Sequence, residues 1–310
     1  FTSFSHGNGT ATFIDLYLGR NPGDKGTYHL SYGGTVKAVN EWIGLNGTGT
    51  FIQEDGTHMV TGSLTLGGSG TGTYSLSGGS LMAADIVLKS GGTFTQTGGT
   101  LAITGNSAEG NGLLNLKGGV LQASGGAHTL GNDLKVNDDY TIGGSNDLTL
   151  RGAVELAKGA TTVVNSANTT FTNVISGAGR LVQNSTGGAG TLTLSEANTY
   201  TGGTTLTKGI LMAGASSFAG GTAGPFGPDA AVLNLAGGAL AAAGTARTIT
   251  NTTINMNGDF ALGTSAANHN LTLGQAAGVF NLGAGTSRTV TVNNTTQIDS
   301  VVTGAGSSLT

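Results

Sequence analysis

The raw material for chemistry in this 310-residue chain is five histidines, sixteen acids and twelve lysines and arginines, with no cysteine. The tightest acidic pairs are Glu54-Asp55 and Asp138-Asp139. Paired carboxylates cleave glycosidic bonds when one acts as acid and the other as base or nucleophile, gathered on one face. Both pairs instead stand in corner-like stretches, where Asp closes a turn by bonding nearby backbone. We read them as turns and assign no catalytic residue. His6, His29, His58, His128 and His269 are isolated, with no second histidine at helical or hairpin spacing. Without cysteine they assemble no zinc set. No metal ligand and no cofactor is expected.

Other reactive motifs are missing or incomplete. Gly143-Gly144-Ser145-Asn146-Asp147-Leu148 is similar to the glycine-rich calcium nonapeptide. Its Asp stands one place early and the following segments do not repeat it, so no ladder of shared ligands forms and a turn is expected. There is no Gly-x-Ser-x-Gly elbow and no phosphate-cradling Gly-x-x-x-x-Gly-Lys. Lysines and arginines are spread along the chain and outnumbered by acids, so nucleic acid is not an expected partner. Sequons such as Asn8-Gly9-Thr10 and Asn168-Thr169-Thr170 are what chance produces in an Asn- and Thr-rich chain. Trp42, the single tryptophan, either offers a face to a sugar or packs against the protein, and packing is the favoured reading.

The scaffold that must hold these residues is legible from composition and period. Glycine contributes 58 residues, charged residues only 9% and apolar residues 37%, with a formal net charge of −4. Disorder goes with low hydrophobicity and high net charge, and this chain has neither. Its apolar residues alternate with Thr, Ser and Asn, and no long stretch shows a 3.6-residue period, so an ordered all-β chain is expected. No apolar run reaches the roughly 20 residues that span a bilayer. The most apolar segment, Ala230 to Ala246, is broken by Asn234, Gly237 and Gly238, so the segment is expected not to be membrane-spanning.

From Leu16 to Ala123 one phrase returns about every 20 to 23 residues, the length of one solenoid turn. Gly26-Thr27-Tyr28, Gly49-Thr50-Phe51, Gly72-Thr73-Tyr74 and Gly92-Thr93-Phe94 open successive middle strands, with Gly112-Leu113-Leu114 as a degenerate fifth. Corners follow at Gly33-Gly34, Asp55-Gly56, Gly78-Gly79, Gly98-Gly99 and Gly118-Gly119. A trailing strand such as Ser80 to Ala83 and a leading strand such as Leu16-Tyr17-Leu18, Glu41-Trp42-Ile43 or Leu64-Thr65-Leu66 complete the coil. The pattern predicts a right-handed parallel β-helix, a β-solenoid with three short strands per coil. At that repeat it makes roughly 14 coils and a rod on the order of 65 Å. Tyr28, Phe51, Tyr74 and Phe94 should then lie one above another, inside or on the surface. Thr and Asn at repeated positions should form hydrogen-bonded ladders.

Residues 1–123 read as a regular short-repeat β-helix and 124–310 as its continuation in longer repeats, in one continuous solenoid. Units 121–183 and 240–310 look like two copies of one pattern. In them Asn132 matches Asn251, Tyr140 matches Phe260, Leu148-Thr149-Leu150 matches Leu271-Thr272-Leu273, and Ser176-Gly177-Ala178-Gly179 matches Thr303-Gly304-Ala305-Gly306. Between them 214–229, with Pro225 and Pro228, is expected to be a loop or lateral bulge.

Residues 191–214, TLTLSEANTYTGGTTLTKGILMAG, condense the pattern into strand, turn, strand, turn, strand. Leu192, Leu194, Asn198, Tyr200, Gly202, Gly203, Thr204, Gly209 and Leu211 resemble the autotransporter-associated β-strand repeat, found in passenger regions of large secreted proteins of Gram-negative bacteria. That resemblance implies export to the extracellular space or outer cell surface. The chain opens at Phe1 without Met or leader and stops in mid-pattern at Thr310, and reads as a piece of a longer protein. With no chemical constellation, the expected function is a non-catalytic structural or adhesive rod. Its expected partners are surface polysaccharide, matrix or neighbouring copies of itself. A fibre built by end-to-end stacking of coils is the alternative. A polysaccharide-degrading enzyme is supported only by analogy of fold.

Overall fold

The structure is a computed structural model that describes residues 2–108, 111–218 and 220–310. It contains parallel β-strands throughout and no α-helix among the described residues; the one helical turn is the 3-10 turn Thr186–Gly188. The chain makes a β-solenoid of about 14 turns, divided into two compact units, 1–153 and 154–310.

In the first unit each strand pairs with its counterpart one coil earlier and one coil later. Lys25–Leu30 lies between Thr2–His6 and Thr48–Gln53, and Thr71–Leu76 and Gly92–Gln96 follow. The register sets Tyr28 on Phe51, Phe51 on Tyr74, Tyr74 on Phe94 and Phe94 on Leu114, as the repeat predicts. Strand alternation turns these residues inward and Thr27, Thr50 and Thr73 outward. The four rings form an interior stack with centroids 5.0, 4.9 and 5.5 Å apart, close to the spacing of hydrogen-bonded strands. All four are buried.

Glycine is required at the corners for two reasons at once. Gly56, Gly79 and Gly99 have φ of 74°, 69° and 64°. A Cβ on Gly79 would also stand 2.3 Å from the carbonyl oxygen of Gly56 one coil below, and one on Gly99 would stand 2.7 Å from that of Gly79. The conformation excludes a side chain and the stacking excludes its volume.

The three segments expected in each of these coils are present, but two of them join. The trailing segment of one coil and the leading segment of the next run together as single strands, Thr35–Ile43, Thr57–Leu66 and Ser80–Leu88. Each bends where inward alternation skips a beat: Val36, Ala38, Glu41 and Ile43 are buried, and the skipped pair Val39-Asn40 faces out. Thr57–Leu66 carries one residue more than either neighbour, with register shifts on both sides of Thr61-Gly62. Such a bulge bends and twists a strand without ending its pairing. A separate third strand first occurs at His128–Leu130, which pairs with Leu148–Leu150.

In the second unit the number of short strands per coil varies: Leu233–Leu235, Ala239–Ala242 and Arg247–Ile249 make a coil of three, whereas the coil before it holds Thr204–Lys208 and Ile210–Ala213. Thr191–Leu194 pairs with Ile210–Ala213, placing Leu192 on Leu211, both fully buried. An asparagine ladder lies on another face: Asn255 Nδ2 donates to Asn234 Oδ1 at 2.9 Å, and Asn281 Nδ2 to Asn255 Oδ1 at 3.2 Å. Among the described residues no strand occurs between Ile210–Ala213 and Leu233–Leu235. Phe218 is exposed, whereas Phe226 is completely buried and Gly224 bridges to Asn198.

The same hydrogen bonds recur at matching places in the two units. His128 Nε2 meets the Ser124 carbonyl at 3.0 Å and Arg247 Nη2 donates to that of Ala243 at 3.0 Å. The amides of Gly131 and Thr250 donate to the hydroxyls of Ser107 and Ser217. Asn132 and Asn251, both buried, donate their side-chain amides to carbonyls about one coil earlier. One local sequence therefore solves the same backbone problem twice.

Candidate functional site

The acidic pairs lie where turn chemistry puts them. Glu54 and Asp55 are exposed at a corner, and Glu54 Oε2 sits 2.9 Å from His29 Nε2. Asp138 Oδ1 accepts the Asp139 amide at 3.0 Å, a bond within the turn itself. At 143–148, Gly144 takes φ 98° and Asn146 Nδ2 donates to the Ala123 carbonyl at 3.3 Å, again turn and coil contacts. Among the described residues no group of three or more His, Asp or Glu could hold a metal.

Two of the histidines face a carboxylate. His29 has Glu54, as above. His58 is at the centre of a polar cluster sealed in the core of the first unit. Its Nε2 lies 2.8 Å from Glu41 Oε1 and its Nδ1 2.7 Å from the Tyr74 hydroxyl, which donates to Gln53 Oε1 at 2.6 Å. Gln53 Nε2 donates to the carbonyls of Gly56 and Ser80. Glu41, Gln53, His58 and Tyr74 are all 0% exposed. A Glu–His–Tyr chain is a set that moves protons in open active sites. Here no substrate reaches it, and its bonds join successive coils. The sequence does carry a signal for it. Glu41 occupies a position filled by Leu16 and Leu64 on the adjacent coils, so a carboxylate there must point inward.

A second buried glutamine repeats part of this design. Gln96 Nε2 donates to the carbonyls of Gly99 and Val120, and its Oε1 accepts the Tyr140 hydroxyl at 2.6 Å. Burial holds the phenols of Tyr28, Tyr74, Tyr140 and Tyr200 above their ordinary range, Tyr28 at about 12. A phenol raised on folding stabilises the fold fully below its unfolded value of about 10, and that contribution is lost as pH rises toward the folded value. Stability should therefore fall from about pH 10 upward, by about 1.4 kcal/mol per pH unit for each of these groups. Absorbance of phenolate near 295 nm should rise together with loss of the β-sheet dichroism signal. A rise completed while the sheet signal is intact would overturn this account.

Trp42 stacks face to face on Tyr17, with ring centroids 4.7 Å apart and planes 7° apart. The Arg20 guanidinium lies 4.6 Å from the Tyr17 centroid. Trp42 takes one face of Tyr17 and Arg20 the other, while Thr65 follows Trp42 in register on the next coil. Tyr17 thus covers one face of the half-buried Trp42 ring, which fits the packing reading.

Residues 187–213 match the family model of the passenger-associated-transport-repeat. No curated protein and no solved structure matches the chain. The repeat and the solenoid together fit a passenger region of an autotransporter. In the fold, the repeat spans strands Thr191–Leu194, Thr204–Lys208 and Ile210–Ala213. Its Asn198 is 1% exposed and fixes the turn: Oδ1 accepts the Ile175 amide at 2.8 Å, and Nδ2 donates to the carbonyls of Glu196 and Pro225. Tyr200 is fully buried and bonds the Thr204 hydroxyl. Every distinctive side chain of the repeat therefore serves coil geometry.

Proposed function

We propose that this chain is a non-catalytic, exported rod of the Gram-negative cell surface that presents its outer faces to surface polysaccharide or matrix. The observation that carries the reading is where reactive groups sit. The acid–base chain Glu41–His58–Tyr74 is closed to solvent, and the exposed acidic pairs lie at corners. What the coils turn outward in the first unit is in-register threonine, as at Thr27, Thr50, Thr73 and Thr93. Hydroxyl rows suit multivalent, shallow contacts better than a single deep pocket. The passenger-associated repeat supports the export route.

The test is binding and turnover measured together on the purified chain with a panel of surface polysaccharides. Saturable binding without release of reducing ends is the expected result. Glu54→Gln and Asp139→Asn should leave that binding unchanged. Polysaccharide cleavage that either substitution abolishes would overturn the proposal in favour of an enzyme.

A further inference from the structure

Two sheets start at an edge strand whose open side the chain itself closes. Among the described strands, His128–Leu130 in the first unit and Arg247–Ile249 in the second each pair on one side only, with Leu148–Leu150 and Leu271–Leu273. The open side of such a strand offers the backbone groups of alternate residues, and each group needs a partner. At the first edge Asn106 Oδ1 accepts the Thr129 amide at 2.7 Å, the Thr129 carbonyl accepts the Ser107 amide at 2.9 Å, and Ser107 Oγ accepts the Gly131 amide at 2.7 Å. At the second Ser216 Oγ accepts the Thr248 amide at 3.1 Å, the Thr248 carbonyl accepts the Ser217 amide at 2.8 Å, and Ser217 Oγ accepts the Thr250 amide at 3.0 Å. The three bonds match one for one, although the partners lie 23 and 24 residues apart in the first case and 32 and 33 in the second. Two residues thus do the work of a neighbouring strand, with side-chain oxygens in place of two of its carbonyls.

We propose that Asn106-Ser107 and Ser216-Ser217 are edge plugs, an autoinhibitory contact that keeps an extended strand of a second copy of this chain from adding to these two edges. An open edge is a template for a strand from another molecule, because its amides and carbonyls are already aligned for a ladder. The edges are matched to this chain's own strands. His128-Thr129-Leu130 lies in register on Leu148-Thr149-Leu150, and Arg247-Thr248-Ile249 on Leu271-Thr272-Leu273, so each edge takes a short strand with Thr between two larger residues. The plug closes the edge without extending it. Asn106-Ser107 and Ser216-Ser217 lie outside the strands and present no ladder of their own. Each is also tethered beside its bonding residues, by the Thr104 amide on the Ala83 carbonyl at 3.0 Å and by the Phe218 amide on the Ala223 carbonyl at 2.8 Å. This device works on backbone edges and is independent of what the outer faces bind.

Ser216→Ala combined with Ser217→Pro removes all three partners at the second edge, two hydroxyls and one amide. Hydrogen exchange and analytical ultracentrifugation of the full chain then read the two halves of the proposal. The Thr248 and Thr250 amides should exchange about tenfold faster than in wild type, the value of one lost hydrogen bond, while Leu271–Leu273 keeps its protection. The variant should also sediment as dimers or larger species whose share grows with concentration beyond that of the wild-type chain. Ser216→Asn is the conservative counterpart, since it places an oxygen where Asn106 has one, and it should match wild type in both measurements. Unchanged exchange at Thr248 and Thr250, or faster exchange with the wild-type sedimentation profile, would overturn the proposal. If the double variant loses protection at Leu271–Leu273, Asn106→Ala with Ser107→Pro puts the same question at the other edge, read at Thr129 and Gly131 against Leu148–Leu150.

Discussion

Gly72→Ala should unravel the middle coils of the first unit. A Cβ on Gly72 would stand 1.8 Å from the carbonyl oxygen of Ile43 and 2.5 Å from the amide nitrogen of Gly67, both backbone atoms. No side chain can swing away to relieve the overlap, so two coils must separate and give up ladder bonds. The expected loss is on the order of 4 kcal/mol, at the severe end of single substitutions. Gly7→Ala is the control, since its nearest neighbour is a Tyr32 ring carbon at an ordinary 3.6 Å. Hydrogen exchange should show protection lost in Thr48–Gln53 and Thr71–Leu76 for the first variant and unchanged for the second. Equal protection in both variants would mean that coil spacing yields far more easily than a parallel ladder allows.

The same physics explains how much of the fold is legible in the chain. Gly-Thr-Tyr and Gly-Thr-Phe recur because the glycine is where one coil presses on the next and the aromatic is where they share a core. Aligning those triplets therefore aligns the coils, down to Leu114 beneath Phe94. The joining of trailing and leading segments is less visible. At Val39-Asn40 and Thr61-Gly62-Ser63 the bend is made by a slip in alternation, with no glycine pair to announce it. The asparagine ladder of 234, 255 and 281 follows from composition only once the coil length there is known.

The buried cluster is illegible for a different reason. Glu41 and His58 are 17 residues apart, and their meeting depends on which face of a bent strand each occupies. A rule that looks for histidines near histidines misses a histidine whose partner is a carboxylate in the core. The useful signal is a polar residue in an apolar column. Glu41 stands between Leu16 and Leu64, and Gln53 and Gln96 share a column with Leu30 and Leu76.

Phe51→Ala should cost about 3–5 kcal/mol, the usual range for deleting a buried phenyl ring. The ring lies between Tyr28 at 5.0 Å and Tyr74 at 4.9 Å, and against His58 at 4.3 Å, with no exposed surface. Its loss opens a cavity beside the polar cluster, where water can compete for the Glu41–His58 contact. Solenoid stability is a sum of local terms, so the damage should stay in the first unit. Trp42, the single tryptophan, sits in those coils and reports on them by fluorescence. Its unfolding midpoint in urea should fall, while exchange protection in Thr191–Leu194 and Ile210–Ala213 stays as it is. Parallel loss at both places would mean that the two units melt as one body.

The separation in sequence between bonded residues has a consequence for how such a molecule comes into being. Asn255 reaches back 21 residues to Asn234 and Asn281 reaches back 26 to Asn255, one loop of chain each time. Nothing in that scheme waits for a distant stretch to arrive. A polypeptide threaded end-first through a narrow opening could solidify layer upon layer as it emerges, each new loop finding its mould in the one already set.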